Sequence, residues 1–129
     1  MNQYDRSKGE AKFDEVYCGD LGALPAPGAS PFIDYMLETL FGVLWQDATL
    51  SIRERRLLLL GVLAAQGEDA ALAIHLRAAV KRGELTATQL QAMATFLTQY
   101  VGYRAARACF VSSGKSPPAR RHNSVPRPG

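Results

Sequence analysis

The chain has 129 residues and a net charge of +3, which bounds it to a single domain. Hydrophobic residues make up 47% and charged residues 21%, the balance of a chain that buries a core, so a wholly disordered protein is excluded. The charge is unevenly placed. Lys115, Arg120, Arg121 and Arg127 put +4 into the last fifteen residues without an acid, leaving −1 for the remainder. The folded part is therefore nearly neutral, which argues against a nucleic-acid-binding face. The longest apolar run, Leu57 to Ala65, falls far short of the about 20 residues of a membrane span. The opening MNQYDRSKGEAKFDEVYCGD lacks the apolar centre of a signal peptide, so a cytoplasmic protein is expected.

Residues 1–29 are polar, then rich in glycine, alanine and proline, and predict an extended N-terminal segment. Ser30-Pro31 opens the first predicted helix, with serine as cap and proline at the first helical position. Phe32, Met36, Leu40, Val43 and Leu44 recur at helical spacing. Tyr35, Phe41 and Trp45 widen the apolar face beyond what a lone surface helix carries. Ser51 and Glu54 form a capping box that starts a second helix at Ile52. Leucines 57 to 60, Val62 and Leu63 cover that helix on all sides, and Gly67 ends it. Asp69 caps a third helix that carries Leu72, Ile74, Leu76, Ala79 and Val80 and closes at Gly83. Thr86 and Gln89 form another capping box before Leu90, Met93, Ala94, Leu97, Tyr100 and Val101. Gly102 breaks that helix, and 104–113 predict a last one. From 114 onward four prolines and little apolar surface predict a disordered tail.

These elements give an all-α bundle of five to six helices occupying 30–114, between the N-terminal segment 1–29 and the basic tail 115–129. The excess of apolar helix surface predicts a homo-oligomer. Cys18 and Cys109 are far apart and match no metal or redox spacing; both are expected to be reduced.

Chemistry concentrates around His75, the histidine outside the tail. It titrates near neutrality and suits proton transfer, and a satisfied structural histidine is the competing reading. Glu54 is a candidate acid as well as a cap. Arg53 and Arg56 share a helix face and could hold a carboxylate, whereas Arg55 points elsewhere. Tyr100 reads either as a catalytic hydroxyl or as a core tyrosine. Trp45 and Phe96 are candidate apolar walls of a pocket.

The run RERRLLLL, then Ala64 to Gly67, then HLRAAVKRG, resembles the carboxymuconolactone decarboxylase family, which shares its fold with AhpD-type proteins. The segment QLQAMATFLTQYVGYRAARACF is similar to that family's second signature, with Tyr100 and Gly102 as its Tyr-x-Gly. The resemblance spans roughly 40–112. It implies an AhpD-like helical bundle assembled as a trimer or hexamer. It also implies a cofactor-free, metal-free lyase of aromatic catabolism acting on a small carboxylated lactone or related enolisable acid. His75, Glu54 and Tyr100 would be catalytic, and Arg53, Arg56, Trp45 and Phe96 would bind substrate. Four positions depart from the family. Glu68 and Ala71 stand where the peroxidase branch has its two cysteines, and thiol–disulfide exchange needs both. Arg56 stands at the relay glutamate, and Phe96 at the second histidine of many decarboxylases. The departures argue against a peroxidase and leave a non-catalytic oligomeric binding or scaffold protein as the alternative.

Overall fold

A computed structural model describes residues 5–102. The described residues are helical throughout, without a strand. Five α-helices follow one another: α1 (Arg6–Tyr17), α2 (Pro31–Tyr35), α3 (Ile52–Gln66), α4 (Asp69–Lys81) and α5 (Ala87–Val101). A π-helical stretch, Met36–Phe41, continues α2, and a 3₁₀ turn, Leu44–Gln46, follows it. No helix among the described residues is long and apolar enough to cross a membrane.

Helix α1 occupies part of the stretch that composition predicts to be extended. Asp5 caps it by accepting from the Ser7 amide. Phe13 and Val16 are buried on one face, a spacing that marks a helix even though the surrounding residues are polar. Gly9 lets this helix come close to the π-helical stretch. A Cβ at Gly9 would sit 1.8 Å from the Leu37 carbonyl oxygen, so only a residue without a side chain fits.

The single helix predicted from Ser30 onward is instead broken into three pieces. Ser30 caps α2 with Pro31 at its start, as the sequence indicates. The Thr39 hydroxyl then donates to the Tyr35 carbonyl at 2.6 Å, competing with the regular hydrogen-bond ladder, and the backbone widens over Met36–Phe41. Helix α3 begins at the Ser51–Glu54 capping box and stops at Gly67, whose φ of 71° is left-handed. Helix α4 starts one residue earlier than expected: Glu68 is its cap residue, without a side-chain bond, and Asp69 lies in the first turn. Helix α5 begins at the Thr86–Gln89 capping box. The predicted last helix, the tail and Cys109 lie outside the described residues. Cys18 is a free thiol, half-buried.

Two apolar cores result. In one, Phe13 and Val16 of α1 pack with Leu37, Phe41 and Trp45. In the other, Leu60 and Ala64 of α3 pack with Leu72, Leu76 and Ala79 of α4, Leu85, and Leu90 and Ala94 of α5. Helix α3 serves both, since Ile52 and Leu59 pack on the first core and Leu57 and Leu63 on the second. The polar groups described next bridge α1, α3 and α4, between the two.

Candidate active site

Among the described residues Arg56 is the largest side chain that is wholly buried, at 0% exposure. Its apolar neighbours on α3 carry it inward, and a buried guanidinium must find partners for its donors. It finds three. Nε and Nη2 reach the two carboxylate oxygens of Glu84 at 3.0 and 3.2 Å, a bidentate pair. Nη2 also donates to the Val16 carbonyl at 2.7 Å, tying α3 to α1. Nη1 lies 2.9 Å from Nδ1 of His75 on α4. Glu84 is held in addition by Arg82, 2.6 Å away, and Arg82 donates to the Glu15 carbonyl of α1 at 3.0 Å.

The other ring nitrogen of His75, Nε2, lies 3.3 Å from the Tyr17 hydroxyl. The two rings are 4.9 Å apart. A continuous chain of polar groups thus runs Glu84–Arg56–His75–Tyr17. Burial and the adjacent Arg56 guanidinium lower the His75 pKa from 6.5 to about 4, against a weaker pull from Glu84, so the ring is neutral at pH 7. Burial raises the Tyr17 hydroxyl above the ordinary tyrosine range, with Arg56 opposing; it is protonated at pH 7. Burial also pushes the Glu84 carboxyl up, but the hydrogen bonds and charges of Arg56 and Arg82 outweigh this and hold it below the usual carboxylate range.

Tyr17 also lines a cleft of about 330 Å³ whose other walls include Phe41, Leu44, Trp45, Leu58 and Leu59, with Arg55 among its lining residues. Phe41 and Trp45 stack with centroids 6.0 Å apart and planes 5° from parallel. The cleft is thus mostly aromatic and aliphatic, with one phenol and one guanidinium, the composition of a small-ligand site. Arg55 donates to the Leu50 carbonyl and lies 4.0 Å from Asp47, which leaves most of its donors free.

The structure brings together only part of the residue set expected from sequence. His75 is central, and Trp45 is a cleft wall. Arg53 and Arg56 do share a face, and both reach Glu84, Arg53 through the backbone carbonyl at 2.9 Å. Arg56 does not serve as a substrate clamp, because it is enclosed and its donors are committed inside the fold. Glu54 is a solvent-exposed cap whose carboxylate accepts from the Ser51 amide at 2.9 Å, and that bond holds its pKa down. Phe96 and Tyr100 are 62% and 75% exposed and pair with each other, rings 5.1 Å apart, away from the His75 network and the cleft lining. An amphipathic helix leaves one face outward, and in this chain both residues are on that face. Sequence reasoning missed Tyr17, Glu84 and Arg55. The apolar spacing of Phe13, Val16 and Tyr17 was the available signal for the first. Nothing local marks Glu84, whose partner Arg56 is on another element. Among the described residues no group of acidic, histidine or cysteine side chains could hold a metal ion.

The profile of the carboxymuconolactone decarboxylase family matches residues 31–111. The chain belongs to that family. Neither the curated proteins nor the solved structures hold a match to it. Within the family segment lie Arg56, His75, Glu84 and most of the cleft, whereas Tyr17 lies outside it. Here the buried histidine is paired with an arginine, and the carboxylate is one step further away.

Proposed function

We propose that the protein is a cofactor-free carboxy-lyase of the carboxymuconolactone decarboxylase type. Its substrate is a small carboxylated lactone or related enolisable acid, and the reaction is decarboxylation with proton transfer. The observation that carries this reading is the junction of two features: an apolar cleft of small-molecule size and an anchored polar chain that ends at its wall. Loss of CO₂ leaves an electron pair that delocalises as an enolate. Such a reaction is helped by apolar surroundings for the leaving carboxylate, by a fixed donor for the enolate oxygen, and by a proton at carbon. Arg55 at the cleft supplies a cation for a carboxylate that is retained.

The test is turnover of 4-carboxymuconolactone and a panel of β-keto and lactone acids by the purified protein, with His75→Gln in parallel. We expect turnover that falls about tenfold in the variant, with helical content unchanged. Absence of turnover in the parent protein on every acid overturns the reading. A non-catalytic homo-oligomeric binding subunit is then favoured, a role supported by the exposed aromatic side chains of Phe32, Tyr35, Phe96 and Tyr100.

A further inference from the structure

We propose that Tyr17, contributed by a helix that precedes the family segment, is the group that meets the ligand's oxygen, and that His75 acts only through it. The inference builds on the proposed function above, because it assigns roles within that same cleft.

The argument begins with Arg56. A guanidinium can donate hydrogen bonds and cannot accept them. The atom it faces, Nδ1 of His75 at 2.9 Å, must therefore be the bare, accepting nitrogen. A neutral imidazole carries one proton, which then resides on Nε2. Nε2–H is 3.3 Å from the Tyr17 oxygen, so the histidine donates and the phenol oxygen accepts. The phenol's own proton is left over. No other described group bonds to that hydroxyl, and Tyr17 lines the cleft; we assign this O–H to a ligand bound there.

His75 cannot take that part itself. Both its ring nitrogens are occupied, it is 4% exposed, and it is absent from the cleft wall. Its place is that of a positioning residue. Glu84 fixes Arg56, Arg56 fixes the His75 tautomer, and the tautomer aims a donor at the phenol oxygen. Such a donor strengthens the phenol as an acid toward a charged acceptor, since chains of hydrogen bonds polarise one another. In the decarboxylation, the bond to the leaving carboxylate breaks and its electron pair stays on the substrate as an enolate. CO₂ departs, the Tyr17 O–H holds the enolate oxygen, and a proton from water completes the new C–H bond. The ligand class that this arrangement favours is an oxyanion carried on a flat apolar body.

The experiment uses 4-nitrophenolate, an oxyanion on such a body, as a binding probe. Its absorbance is followed with the parent protein, Tyr17→Phe, His75→Gln and the double variant. Phenylalanine keeps the ring contacts with Phe13 and Phe41, so the fold survives. Tyr17→Phe is expected to weaken binding about tenfold or more, His75→Gln by less, and the double variant no further than Tyr17→Phe alone. Additive losses in the double variant would show that His75 meets the ligand independently and overturn the assignment. So would equal binding by the parent and Tyr17→Phe, or no binding by the parent. Imidazole ¹⁵N shifts supply the second readout: a proton on Nδ1 instead of Nε2 also overturns it. Probe binding that depends on Tyr17, without turnover of any acid, sinks the decarboxylase reading alone. Turnover that survives Tyr17→Phe sinks the tyrosine assignment alone.

Discussion

Replacing Arg56 with methionine tests whether the buried network holds the two cores together. Methionine keeps the apolar stem and adapts to the remaining space, so the loss is chiefly polar. Removing one partner of a buried ion pair costs about 3–5 kcal/mol because the other charge is stranded. Here the stranded Glu84 keeps Arg82 at 2.6 Å, which places that contribution near the lower end. The Val16 carbonyl and His75 Nδ1 lose their donor as well, about 1 kcal/mol each. The expected destabilisation is therefore about 5 kcal/mol, a large share of the stability of a small domain. Urea denaturation at pH 7, at matched protein concentrations, measures it. The same substitution removes the positive charge beside His75, so an NMR titration should find the histidine pKa above about 4 yet still below 6.5, since burial persists. A stability change under 1 kcal/mol together with an unmoved histidine would refute the reasoning. Arg56 would then be a tolerated passenger and not the link between α1, α3 and α4.

Acidification should act through His75 first. The unfolded chain takes up a proton near pH 6.5, and the folded chain refuses it until about pH 4. Stability is therefore full above pH 6.5, falls through that window, and levels off for this group below it. Across that window the loss is about 3 kcal/mol. Denaturation at pH 7 and pH 4.5 should show a smaller difference in His75→Gln than in the parent; an equal difference would assign the acid sensitivity to other groups. Gly9→Ala should destabilise by about 2 kcal/mol or more, because the new Cβ meets the Leu37 backbone and one helix must move away. An unchanged thermal midpoint would mean that α1 does not dock on the π-helical stretch in solution.

Local chemistry alone fixed the helices of the second half. The Ser51–Glu54 and Thr86–Gln89 boxes and Gly67 are short-range devices, and their geometry follows from backbone amides a few residues away. Family membership was also legible, in the resemblance carried by the run from Arg53 to Gly83. Tertiary structure alone decided the site. Arg53, Arg55 and Arg56 are chemically equivalent in the sequence, and burial assigned them separate roles: one capping a backbone carbonyl, one at the cleft, one enclosed between Glu84 and His75. The same holds for the tyrosines. Tyr100 stands in the family signature and faces outward, whereas Tyr17, in a polar stretch with no motif, meets the buried histidine. The physical reason is that hydrogen-bond partners distant in sequence leave no local pattern; they are selected when two cores close around a charge that cannot remain unpaired.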